Sequence, residues 1–227
     1  MSRDRGALME PQIQHFRIQY KKGEALRYTA NLDVHRIWER YFRRAQVPLA
    51  YSKGYHPHPR INQAMPLPLG MLSDYELLDF WTESETIVER KFLKQKLMGT
   101  RQPGIQIDTV EEIHHKQKSL QSQVTSVKYD AKQFYTDSEL QQIISVDALL
   151  AQESILRIRR KKEYNLRPMI IALTSEKNKS GNMYFMHLTA TPGLVGRPDE
   201  VLAALGENPN HYRITRTNII LAEREDT

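Results

Sequence analysis

The sequence predicts an α+β protein of two domains, each an antiparallel sheet with helices packed on one face. Segments that alternate apolar and polar residues are interleaved with segments whose apolar residues recur every three or four positions. The interleaving runs strand, helix, strand, strand, helix, strand, and then repeats less regularly. A chain of 227 residues is also long enough for two domains of roughly 100 residues each.

Residues 1 to 12 are polar and belong to no predicted element. Phe16, Ile18 and Tyr20 then alternate with Arg17, Gln19 and Lys21, a strand by period. Lys22-Gly23-Glu24 supplies a turn, after which Leu26 and Tyr28 read as a short partner strand. Asn31 is the expected N-cap of a helix, with Asp33 in its first turn. Val34, Ile37, Trp38, Tyr41, Phe42 and Ala45 make that helix amphipathic, and it stops before Pro48. Strands are expected at Arg60 to Met65 and around Tyr75 to Trp81. Thr86 and Glu89 have the spacing of a capping box ahead of a helix carrying Val88, Phe92, Leu93 and Leu97. Gly99 and Gln102-Pro103-Gly104 end it, and Ile105, Ile107, Val110 and Ile113 form the next strand.

The second half opens with a strand near Val124 to Tyr129. A helix follows from about Thr136 to Ala151, where Thr136 and Glu139 repeat the capping-box spacing. Strands are expected at Ile155 to Arg159, Met169 to Thr174 and Asn182 to Thr189. A short helix begins at Pro198 and stops at Gly206, and Tyr212 to Leu221 is the closing strand. Both halves have the β-α-β-β-α-β ferredoxin-like order. The expectation is therefore tandem ferredoxin-like domains over 13–115 and 122–222, divided near Lys116 to Ser122. One strand of the second half does not fit that order.

Hydrophobic content of 40% and charged content of 26% are ordinary for a globular protein. No apolar run approaches the ~18 residues that span a bilayer. Residues 1 to 12 lack the apolar core of a secretion signal, so a cytoplasmic location without membrane contact is expected. The absence of cysteine excludes disulfides, thiolate nucleophiles and cysteine-ligated zinc or iron–sulfur sites. A net charge of +6 marks a basic protein and favours polyanionic partners.

The most informative stretch is the proline-rich basic segment 51–70, YSKGYHPHPRINQAMPLPLG, which holds four of the eleven prolines. Tyr51, Lys53, Tyr55, His56, His58 and Arg60 set rings and cations side by side on a backbone the prolines restrict. Such a segment reads as a presented surface. Arg36, Arg40, Arg43 and Arg44 fall on the outer face of the first helix, which leads into it. The bland alternative for those arginines is a solvated face. A second basic run comprises Arg157, Arg159, Arg160, Lys161 and Lys162, followed by Arg167. There Leu156 and Ile158 are expected to face the core, and Arg213 and Arg216 are candidates to join the patch. Single-stranded RNA is bound by this pairing of aromatic stacking surfaces with cations. His56 and His58 share one side of an extended segment. With no carboxylate beside them, contacts to phosphate or base are expected over a metal site. No glycine-rich nucleotide motif and no nucleophile elbow occurs, and no catalytic residue, metal or cofactor is predicted.

The Leu26–Asp33 run, the Arg43-Arg44 helix end, Tyr51-Ser52-Lys53-Gly54-Tyr55-His56-Pro57-His58-Pro59 and Leu67-Pro68-Leu69-Gly70 together resemble the radical SAM-linked domain family. Tyr164 to Pro168 and Arg213 to Ile219 are also similar. That bacterial family has no assigned biochemical function, and its members are fused to radical SAM proteins or encoded apart from them. The resemblance implies an accessory role beside a radical SAM enzyme on a separate chain, since a chain without cysteine cannot itself ligate the usual cluster. The expected function is an accessory RNA-binding domain in RNA modification or processing. One alternative is a stand-alone RNA-processing or RNA-modifying enzyme using His56, His58 or Asp33. Another is a protein-interaction module for an acidic partner.

Overall fold

The alternation at Phe16, Ile18 and Tyr20 forms a strand, β1 (Gln12–Lys22), in the computed structural model, which describes residues 11–114, 117–135, 143–159, 161–178 and 181–223. Helix α1 (Asn31–Arg44) lays Val34, Trp38, Tyr41 and Phe42 over those three residues. Trp38 meets Tyr20 edge-on at 4.8 Å. Each large apolar side chain removed from water in this way contributes about 1.5–3 kcal/mol. The helix ends where Gln46 takes a left-handed conformation (φ 52°), the position usually given to glycine, and Pro48 follows.

β2 (Ile61–Gln63), β3 (Leu72–Ser84), α2 (Arg90–Gly99) and β4 (Ile105–Glu112) complete the first half. Its strands lie in the order β4-β1-β3-β2, all antiparallel. Leu93 and Leu97 of α2 join the core beneath α1. The second half contains the helical turn α3 (Leu120–Gln123), β5 (Val124–Gln133), α4 (Val146–Leu150) and a hairpin of β6 (Leu156–Arg159) and β7 (Lys162–Asn165). It continues with β8 (Ile170–Asn178), β9 (Gly181–Thr191), β10 (Leu194–Val195), α5 (Pro198–Ala204) and β11 (Tyr212–Leu221). Here the order is β11-β5-β9-β8, again antiparallel, with β10 also on β9. The strand that did not fit is the β6–β7 hairpin, which stands apart as its own two-stranded sheet.

The two halves do not keep separate sheets. β11 runs parallel to β3 through Thr215 opposite Leu72 and Arg216 opposite Ser73, which joins the remaining strands among the described residues into one nine-stranded, mostly antiparallel sheet. Arg216 is fully buried at this joint. Its Nη1 donates to both oxygens of Glu76 at 2.9 and 3.1 Å and to the Met65 carbonyl. Its Nη2 donates to the Pro66 carbonyl and to the Tyr129 hydroxyl. Burial opposes the charge of Arg216, but the Glu76 carboxylate and Tyr129 outweigh it and raise its pKa above the ordinary value. A bulge at Thr217 follows, and it switches the inward face from Ile214 and Arg216 to Ile219.

Several local expectations change. Leu26 and Tyr28 form no strand: Glu24–Leu26 is a 3-10 turn, and β1 pairs instead with β3 and β4. The N-cap of α1 is Ala30, with Asn31 already helical. No capping box opens α2, because the helix begins at Arg90, immediately after Glu89. Phe92 faces solvent. In the second half α4 is capped by Ser145, whose Oγ accepts from the Ala148 N–H; Thr136 to Gln142 lie outside the described residues. Leu156 and Ile158 are exposed and not core-facing, since β6, which among the described residues pairs only with β7, lies off the main sheet.

Candidate functional site

The proline-rich segment is a hairpin on the rim of the sheet. Leu49 bridges to Thr82, and the Ala50 and Trp81 backbones exchange bonds with the chain at Arg60. Tyr51 bridges to Pro59, and the Ser52 N–H donates to the His58 carbonyl while Ser52 Oγ accepts from the His58 N–H. Gly54 turns the tip at φ 144°, a conformation that favours glycine. Everything from Tyr51 to His58 stands in solvent, with Tyr55 97% exposed. Pro57 and Pro59 restrict the returning arm, and the Tyr55 ring meets His56 edge-on at 5.3 Å.

Beneath the hairpin lies a cleft of about 770 Å³. Its floor is the face of β1 and β3 turned away from α1: His15 and Arg17 alternate with core Phe16 and Ile18, and Asp79 and Trp81 with Leu78 and Phe80. Asp79 is buried and accepts from Arg17 Nε at 2.7 Å and Nη2 at 3.0 Å. His15 Nε2 lies 2.9 Å from Asp79 Oδ2, the oxygen that also accepts from Arg17 Nη2, a close contact without hydrogen-bond alignment. Burial alone raises the Asp79 carboxyl, but contacts with His15 and Arg17 prevail and hold its pKa below the usual carboxylate value. The His15 ring stacks on Trp81 at 4.3 Å and 10°, and the Arg60 guanidinium lies 4.6 Å from the Trp81 ring centre. His58, Asn62, Glu112, His114 and Lys118 complete the walls.

Of the expected residues the structure gathers His58 and Arg60 around the cleft, beside Ser52, and leaves the others apart. Arg36, Arg40, Arg43 and Arg44 are exposed on the outer side of α1, and α1 covers the opposite face of the sheet from the cleft. Arg36 pairs with Asp33 at 3.2 Å, and Arg44 donates to Gln102 at 2.9 Å. In the second half Arg157 pairs with Glu200, and Arg167 donates to the Leu150 and Ile170 carbonyls. Arg159, Lys161 and Lys162 are exposed, whereas Arg160 lies outside the described residues. Arg213 pairs with Glu24, and Arg216 is buried in the joint, so it joins no surface patch.

His15, Arg17, Asp79 and Trp81 were not singled out by the sequence reading. The available signal was Asp79 itself, a carboxylate inside the run Leu77-Leu78-Asp79-Phe80-Trp81, which demands a partner if the strand is covered on both faces.

The family described as uncharacterized proteins conserved in bacteria (DUF2344) matches residues 15–198. The chain belongs to this family. The matched stretch contains the hairpin, all of β3 and the cleft floor, while β11 lies beyond it. No curated protein matches the chain. Among solved structures, the crystal structure of an unknown protein from Galdieria sulphuraria is 14% identical. It covers 93% of this chain and 100% of its own with a TM-score of 0.27, too loose a likeness to place the fold.

Among the described residues no helix is long and apolar enough to cross a membrane, and no group of three or more His, Asp or Glu residues is arranged to hold a metal ion.

Proposed function

We propose that this chain is an accessory RNA-binding protein that works beside a separate radical SAM enzyme in RNA modification or processing. The observation that carries the RNA reading is the hairpin, where Tyr51, Lys53, Tyr55, His56 and His58 all stand in solvent on a proline-stiffened backbone. An exposed ring beside cations suits unpaired bases, which stack on aromatic faces while Lys and Arg hold phosphates. Ordering in advance also lowers the entropy lost on binding. The radical SAM partner rests on the resemblance of Tyr51 to Pro59 and Leu67 to Gly70 to the radical SAM-linked domain family. The same reading treats 13–115 and 122–222 as two ferredoxin-like repeats. The two strand orders, β4-β1-β3-β2 and β11-β5-β9-β8, support it because each places its four principal strands in the sequence 4-1-3-2.

Titration of a short unstructured RNA across a salt series tests the proposal. With about three phosphates neutralised, affinity should fall with a log–log salt slope of about −2. A protein-docking hairpin predicts no measurable RNA affinity at physiological salt, and that result would reject the RNA reading.

A further inference from the structure

Arg17 and Arg60 lie on the cleft face of the sheet, Arg60 in the cleft lining, in opposite electrostatic conditions. Arg17 is committed to Asp79 through two hydrogen bonds. Arg60 makes no ion pair among the described residues. Its guanidinium is held against the Trp81 ring, which is backed by His15. A guanidinium held against a ring still carries several N–H donors, which can take a phosphate in two-pronged fashion. Lys118 stands on the cleft wall as a second cation.

The cleft also offers more than an anion site. Asn62, directly opposite Asp79 in the strand register, makes no side-chain hydrogen bond among the described residues. A free amide presents donor and acceptor together, which matches the hydrogen-bonding edge of a base. The volume of about 770 Å³ falls within the range of small-molecule sites. We infer that this cleft binds one nucleoside monophosphate unit, its phosphate on Arg60 and its base edge against Asn62. The unit is either a free nucleotide or one nucleotide of a bound strand. Only the second source depends on the RNA-binding reading.

The test uses the two tryptophans as reporters. Trp38 is fully buried under α1, whereas Trp81 borders the cleft, so ligand binding should change the emission of Trp81 alone. The full chain is titrated with AMP, GMP, CMP and UMP, with adenosine and with inorganic phosphate, and calorimetry gives the affinities. At least one monophosphate should saturate the change and bind more tightly than adenosine or phosphate. Arg60→Ala should weaken it by at least roughly ten-fold, the scale of one charge-assisted hydrogen bond, with Arg60→Lys intermediate. Asn62→Ala should narrow the differences among the four bases, and it serves as the second probe if Arg60→Ala lowers the melting temperature. No binding of any monophosphate at about 5 mM, weaker than the weakest useful affinities, would overturn the inference. So would adenosine binding as well as AMP, or an Arg60→Ala protein binding like the wild type. RNA that binds with a steep salt slope while no monophosphate binds would remove this inference and leave the RNA reading intact. Monophosphate binding without RNA affinity would do the reverse.

Discussion

Strand β3 carries two buried carboxylates three residues apart, Glu76 and Asp79, which face opposite sides of the sheet and meet opposite fates. Glu76 lies on the α1 side, where Arg216 arrives from the second half and is fully engaged by Glu76, Tyr129 and two backbone carbonyls. Burial pushes the Glu76 carboxyl up, with Arg216, Ser73 and Lys22 pulling the other way. Asp79 lies on the cleft side, where Arg17 from the neighbouring strand satisfies it locally and leaves Arg60 and Lys118 without an ion pair among the described residues. The same functional group on the same strand thus closes a joint on one face and furnishes a site on the other. What distinguishes them is whether the surrounding cations have donors left over.

The largest effect should come from the joint. Arg216→Ala leaves Glu76 buried without its partner, and urea unfolding should show a loss of about 3–5 kcal/mol. Replacing the pair together, as Arg216→Met with Glu76→Leu, should recover most of it. If the two single losses simply add in the double variant, the pair is not coupled and the comparison fails.

At the cleft the expected loss is smaller. Asp79→Asn weakens the Arg17 and His15 contacts and should lower stability by about 1–3 kcal/mol. Its sign with pH is fixed: a carboxyl whose folded pKa is depressed contributes stability that is fully present above the unfolded value, about 3.9. That contribution disappears as pH falls through the lower folded value. Urea midpoints from acid to neutral pH should therefore drop less steeply at the acid end in Asp79→Asn than in the wild type.

The hairpin should show binding effects without stability effects. Tyr55→Ala should weaken RNA binding by about 1–3 kcal/mol with little change in salt slope. Its melting temperature should match the wild type, because the ring is 97% exposed. The smallest change belongs to α1. If its outer face touches RNA although the sheet separates it from the cleft, Arg40→Ala with Arg43→Ala should flatten the salt slope by roughly one unit. An unchanged slope would confine RNA contact to the hairpin and cleft.

Periodicity located most of the elements because the sheet is covered by helices on one face at a time. Phe16, Ile18 and Tyr20 alternate cleanly for that reason, and Val34, Trp38 and Phe42 recur at helical spacing to cover them. The pattern misled where an element left the main sheet. Leu156 and Ile158 alternate as if against a core, yet both side chains are exposed on a hairpin that stands off the main sheet. The hairpin of the candidate site was legible from its prolines and rings. The cleft was not, since His15 and Asp79 meet across 64 residues of chain: Asp79 in its apolar run signals a need for a partner, but nothing in the sequence says that Arg17 and His15 supply it. Arg216 was hidden for the same reason: as an arginine beside Arg213 it reads as surface, and only the pairing of β11 with β3 shows that it has no route to water.

That pairing also sets an order of events during synthesis. β11 sits between β5 and β3 in the sheet but leaves the ribosome after both of them. Until it emerges, the Leu72–Ser73 end of β3 and the β5 edge lie open, and Glu76 waits without its arginine. The first half can collapse around Trp38 early, since all of that core is made by Val110. Nascent chains therefore carry an unpaired strand edge for as long as the second half takes to be translated, and holdase chaperones that recognise such edges should be most needed in that interval.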